Sequence, residues 1–193
     1  MNTVAVNAEA NVFASGSFDG SVCLWDLMSR SFTPIQRLYD FKDSVTKVMF
    51  TSYQIIASSV DGFVRVYDLR KEKLVEMNVG HPIINFDLGI DTNFCALSCL
   101  DNTARIIDLK DGIVLNEYVG GHESSKYHSG IKFSSDNKML VQASENGDVV
   151  VYDILNKTNR KLKHHKLPVI SLDIKEQIIV SGGADGEIKL WNL

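Results

Sequence analysis

The chain has 193 residues, of which 45% are apolar, 23% charged and 9% aromatic, a balance that buries a core and excludes disorder as the main state. Twenty Lys and Arg against 24 Asp and Glu leave a net charge of −4, which weighs against direct nucleic-acid binding through bulk positive charge. No apolar run reaches the roughly 20 residues of a membrane span, and residues 1–9 lack the basic start and apolar stretch of a secretory leader, so no membrane partner is expected.

Taken in chain order, the segments repeat. A strand at 3–6 precedes ASGSFDGSVCLWDL (14–27), and a more polar run at 35–38 follows it. The same succession recurs as 45–50, ASSVDGFVRVYDL (57–69) and 74–78. It recurs again as 83–88, LSCLDNTARIIDL (97–109) and 114–118, and as 131–133, QASENGDVVVYDI (142–154) and 159–162. The chain closes with 169–174 and VSGGADGEIKLWNL (180–193). Apolar runs broken by Asp-Gly or Asn-Gly read as hairpins, because Gly and Asn tolerate the positive φ of a tight turn; Asp101-Asn102 is the weakest of the five. In each hairpin a turn residue precedes a bulky apolar residue by six positions: Asp19 and Trp25, Asp61 and Tyr67, Asp101 and Ile107, Asn146 and Tyr152, Asp185 and Trp191. Successive pairs lie 42, 40, 45 and 39 residues apart.

No segment has helical periodicity, so the expected fold class is all-β. Four antiparallel strands in about 40 residues make one propeller blade with the polar fourth strand outermost. Residues 1–193 then form a single propeller region of five blades, 1–42, 43–80, 81–121, 122–165 and 166–193, the last lacking its outer strand.

Trp25-Asp26, Gly80-His81 and Gly121-His122 make the repeat similar to that of WD-repeat propellers. The resemblance implies a buried His–Ser–Asp–Trp network in each blade. One complete set is present, His165, Ser181, Asp185 and Trp191, while Ser15, Asp19 and Trp25 supply three of the four in the first blade. The second blade lacks the His, the third has Ile107 in place of the aromatic, and the fourth has Gln142 in place of the Ser. SVDGFVRVYDLR (59–70), VGHPI (79–83) and SCLDNTARIIDLKDGIVLNEYVGGH (98–122) resemble, more narrowly, the mitogen-activated protein kinase organiser family of WD-repeat proteins. That resemblance implies a non-catalytic scaffold for members of a kinase cascade, cytoplasmic or nuclear. The alternative is a structural subunit of a spliceosomal or other ribonucleoprotein complex. The resemblance to the kinase organiser family also implies a seven-bladed propeller, of which this chain resembles blades three to seven. Two apolar blade faces are then expected to lie uncovered. Membership of a longer chain, self-association through those faces, and closure of five blades into a smaller ring are the alternatives.

The chemistry of catalysis is missing from the pattern. There is no phosphate-cradling glycine loop, no Cys/His cluster at zinc spacing and no nucleophile elbow. The acids are mostly hairpin-turn or strand-end residues, and Asp26, Asp68, Asp108 and Asp153 recur at equivalent strand ends. His81, His122 and His165 fall where WD repeats place a structural His; His128 and His164 read as loop or strand-end residues. Cys23, Cys95 and Cys99 sit in apolar runs, and strand spacing puts the last two about 13 Å apart, beyond disulfide reach, so all three are expected as reduced core residues. No catalytic residue, metal ligand or cofactor is assigned.

Binding sites are expected where the repeat loses identity. Phe18, Val60, Leu100, Glu145 and Ala184 stand just before the five turns, and an exposed Phe18, Val60 and Leu100 would form an apolar partner-binding rim. Packing beneath the turns is the alternative. Arg160, Lys161, Lys163 and Lys166 could grip phosphate or an acidic peptide, or could simply decorate a solvated outer strand against edge pairing. The loop 122–130 is longer than its counterparts, and an insertion on a regular scaffold is a natural place for specificity.

Overall fold

Hairpin chemistry dictates the architecture. Gly20, Gly62, Gly147 and Gly186 all adopt φ between +77° and +88° at the turns between second and third strands. Asn102, at φ +61°, occupies the same conformation in the third repeat, which is why the Asp-Asn turn works there without glycine. The preceding Asp or Asn side chain accepts the amide two residues on at every turn: Ser21, Phe63, Thr103, Asp148 and Glu187 donate at 3.0–3.2 Å. Asp26, Asp68, Asp108 and Asp153 do the same at the next turn, toward Met28, Arg70, Lys110 and Leu155. These short-range bonds satisfy the turn donors and set each register.

The computed structural model describes residues 1–71, 73–126 and 129–193. Among them there is no helix, and the chain divides into two units, Met1–Ile83 and Ile84–Leu193. The first unit holds two four-stranded sheets: β1 (Thr3–Val6), β2 (Val12–Gly16), β3 (Val22–Asp26) and β4 (Gln36–Leu38), then β5 (Val45–Phe50), β6 (Gln54–Ser59), β7 (Phe63–Asp68) and β8 (Lys73–Asn78). β9 (Ile83–Leu88), which starts at the junction, β10 (Phe94–Cys99), β11 (Thr103–Asp108) and β12 (Val114–Val119) form the third sheet. The fourth comprises β13 (Ile131–Phe133), β14 (Met139–Ala143), β15 (Asp148–Asp153) and β16 (Asn159–Lys163). The fifth has three strands, β17 (Val169–Lys175), β18 (Ile178–Gly183) and β19 (Ile188–Asn192). Pairing within every sheet is between sequence neighbours, and all registers described are antiparallel. This is the all-β, blade-by-blade architecture that the repeat predicts.

Alternation along each strand sends one set of side chains to each face of its sheet. In the first unit Ala14, Val22 and Leu24 of one sheet pack on Val45, Val48, Ile55 and Ala57 of the next. Gly16 allows that approach: a Cβ there would lie 2.6 Å from Val45 Cγ1. In the second unit Ala96, Ala104 and Ile106 meet Ile131, Phe133 and Leu140. Likewise Val141, Ala143, Val149 and Val151 meet Val169, Leu172, Ile179 and Trp191. Burying each large aliphatic side chain contributes about 1.5–3 kcal/mol, so sheet-on-sheet packing is the main source of cohesion.

Candidate functional site

The polar groups buried between hairpins come first, because they decide which residues are scaffold. In the fifth sheet Trp191 Nε1 donates to Ser181 Oγ at 2.9 Å, Ser181 Oγ lies 2.8 Å from His165 Nε2, and His165 Nδ1 lies 3.1 Å from both carboxylate oxygens of Asp185. An ionised carboxylate only accepts, so His165 carries a proton on Nδ1. The Lys166 amide, first of all, with the Glu187 amide and His165, holds the Asp185 carboxyl down to about 2 against the opposing pull of burial. In the first sheet Trp25 Nε1 donates to Ser15 Oγ at 2.9 Å and stacks on Phe13, and Asp19 is tied to the hydroxyl and amide of Ser21. These groups are consumed by one another.

The second and third sheets satisfy the turn aspartate differently. Phe41 lies twenty residues before Asp61, as His165 does before Asp185, and the Lys42 amide donates to Asp61 as the Lys166 amide does to Asp185. The cation comes from Arg65, four residues after the Asp: its Nη1 donates to Asp61 at 2.8 Å and its Nε to Glu76 at 2.7 Å. Its guanidinium, 2% exposed, lies 4.4 Å from the Phe41 ring centroid and 4.7 Å from that of Phe63. Arg105 repeats the arrangement with Asp101 at 2.6 Å and Glu117 at 2.8 Å. Burial opposes both charges, but the carboxylate partners outweigh it and raise both guanidinium pKa values. The sequence signal for this pair, unassigned from spacing alone, is Asp-x-x-x-Arg at 61–65 and 101–105.

In the fourth sheet His122 Nδ1 meets the Tyr152 hydroxyl at 2.7 Å. Gln142, fully buried, turns to neighbouring strands, donating from Nε2 to Ser98 Oγ at 2.9 Å and Ser129 Oγ at 3.0 Å. His81 is exposed, and His128 lies outside the described residues. Cys95 and Cys99 are buried and Cys23 half-buried, all three as free thiols; burial pushes the Cys99 thiol up to about 11. Among the described residues no group of three or more His, Cys, Asp or Glu is placed to hold a metal.

Within each unit the residues before the turns lie beside the loops leading into first strands. The amides of Val60, Glu145 and Ala184 donate to the carbonyls of Ser44, Glu123 and Pro168. Phe18 projects its ring to solvent at 78% exposed. Val60, Leu100 and Glu145 are half-buried, and Glu145 is engaged: its carboxylate accepts from the Lys126 amide and Ser125 Oγ, tying the long loop to the turn. Phe18 and Val60 belong to the first unit, Leu100 and Glu145 to the second.

Arg160, Lys161, Lys163 and Lys166 are all exposed. Strand alternation puts Lys161 and Lys163, opposite Val150 and Asp148, on one face of β16 and Arg160, opposite Val151, on the other. Lys166 lies beyond the strand, where its amide serves Asp185. The four cations therefore project in more than one direction.

With the geometry in place, the comparisons are consistent with it. The family described as WD domain, G-beta repeat matches residues 1–26 and 156–192. Over its whole length the chain is 29% identical to the WD repeat domain-containing protein 83 homolog of Dictyostelium discoideum, covering 68% of that protein. Over 66% of its length it is 39% identical to WD repeat domain-containing protein 83 of Rattus norvegicus, covering 40% of it. It is also 23% identical, across its full length, to the U3 small nucleolar RNA-associated protein 18 homolog of Mus musculus, covering 36% of that protein. The matched stretches take in β1–β3 and β16–β19, so the chain is similar to WD-repeat proteins over its first sheet and its last strands.

Proposed function

We propose that this chain is a WD-repeat protein acting as a non-catalytic scaffold that holds proteins together, cytoplasmic or nuclear in location, with the hairpin turns and first-strand loops around Phe18 in the first unit as its docking face. The observation that carries the reading is the contrast at the rim. The turn aspartates and their partners are occupied in hydrogen bonds, while Phe18 offers a large apolar ring to solvent with nothing in the repeat that requires it. Aromatic anchors of this kind dominate protein–protein contacts. Resemblance to the mitogen-activated protein kinase organiser family favours members of a kinase cascade as partners.

The test is capture of purified cascade kinases by the chain and by its Phe18→Asp variant. Retention of a kinase at high salt by the first and its loss with the second supports the reading; equal capture by both removes Phe18 from it. A second reading, a structural subunit of a ribonucleoprotein complex, draws on similarity to a relative whose name describes it as associated with small nucleolar RNA. Association with splicing proteins that disappears after nuclease treatment would favour that reading over the first.

A further inference from the structure

The fifth sheet presents a bare apolar face. Ile178 and Val180 of β18 and Ile188 and Leu190 of β19 point away from the side that packs on the fourth sheet. Ile188 is 77% and Leu190 73% exposed. The first sheet has a bare face of the opposite kind: Val4 and Val6 of β1 are 48% and 52% exposed, beside half-buried Phe13 and Trp25. Single exposed apolar residues need no explanation, but two clustered faces do.

Registers identify what each face is built to meet. Leu190 pairs with Val180, and Ile188 with Gly182, as Val151 pairs with Val141 and Val149 with Ala143. The bare face of the fifth sheet is therefore the positional equivalent of the face of the fourth sheet whose Val141, Ala143, Val149 and Val151 are buried. On the other side, Val4 pairs with Ser15 and Val6 with Phe13, as Leu172 pairs with Ser181 and Ile174 with Ile179. Trp25 and Trp191 complete the correspondence, each donating to its Ser. Val4, Val6, Phe13 and Trp25 thus repeat Leu172, Ile174, Ile179 and Trp191, the set that packs on the fourth sheet. The two bare faces are the two halves of an interface already formed inside this chain.

We propose that the bare face of β18–β19 in one copy takes the bare face of β1–β3 in a second copy, head to tail, in the arrangement by which the fourth and fifth sheets pack. The contact is heterologous: each junction uses one face of each kind, so a copy blocked on either face can still join through the other.

Sedimentation velocity from about 1 to 100 µM tests this, with Ile188→Glu/Leu190→Glu blocking one face and Val4→Glu/Val6→Glu the other. Expected are a wild-type mass that rises with concentration, single chains for either variant alone, and a two-chain species when the variants are mixed. A wild-type chain that stays single throughout overturns the proposal, and so does either variant self-associating alone or a mixture that stays apart. The substituted positions are solvent-facing, and far-UV dichroism and melting identical to wild type establish that each variant is folded. If the double β1 variant fails to fold, Val4→Lys alone replaces it in the mixture.

Discussion

The Tyr152 hydroxyl meets His122 Nδ1 at 2.7 Å, and the other ring nitrogen, Nε2, is buried with no hydrogen-bond partner among the described residues. Burial first, and Lys161 in lesser degree, lower the His122 pKa to about 4, against the pull of Asp101. The unfolded chain binds a proton at 6.5 and the folded chain does not, so stability falls as pH drops from 6.5 toward 4. The loss over that window is about 3 kcal/mol. Urea unfolding of the wild type at successive pH values should show the slope, and His122→Gln should flatten it.

Arg65 bridges a buried Asp61 and a half-exposed Glu76. Arg65→Ala leaves the Asp61 carboxylate buried without its cation and should cost about 3–5 kcal/mol. Glu76→Gln, at the solvated end, should cost under about 1 kcal/mol. Arg65→Lys should recover little, because one ammonium cannot span both carboxylates. Denaturant midpoints of the three variants check this order.

Ser181 serves two partners at once, buried His165 and half-buried Trp191. Ser181→Ala strands both and should cost about 2–3 kcal/mol. The loss should register as faster amide hydrogen exchange in β17–β19 ahead of the rest of the chain.

Gly147 and Gly186 share nearly the same positive φ but not the same surroundings. An added Cβ at Gly147 runs into the His165 carbonyl oxygen, whereas at Gly186 it meets nothing within 4 Å. Gly186→Ala should therefore cost only the backbone term, about 1 kcal/mol. Gly147→Ala should cost more than about 2 kcal/mol, since a backbone atom must also move. Melting temperatures of the two variants separate the contributions.

How much of this was legible in the sequence depends on distance along the chain. The hairpins are local events, and a turn Asp or Asn followed six residues later by a bulky side chain locates all five. The pairing of His165 with Ser181, Asp185 and Trp191 is what the resemblance to WD-repeat propellers implies, and that resemblance supplies its offsets. What the offsets conceal is substitution by different chemistry. The role of Arg65 depends on Glu76 lying opposite it in register and on Phe41 occupying the place of a histidine. Gln142 reads as a gap in the pattern until β10, 44 residues upstream, brings Ser98 to it. Strand edges also shift: β4 begins at Gln36 rather than Ile35, whose amide still donates to Leu24 but whose side chain lies in solvent. At the rim, exposure separates Phe18 from Val60 and Leu100, a distinction that no single sequence position encodes.

In all five sheets strand order follows chain order, and among the described residues each strand pairs, backbone to backbone, only with strands of its own sheet. Tension applied between the two termini would therefore meet no backbone clasp joining distant parts of the polypeptide. The molecule should yield in steps, each releasing about 40 residues, fewer for the three-stranded fifth sheet, as one sheet at a time gives way. A force–extension trace would show evenly spaced teeth rather than a single rupture.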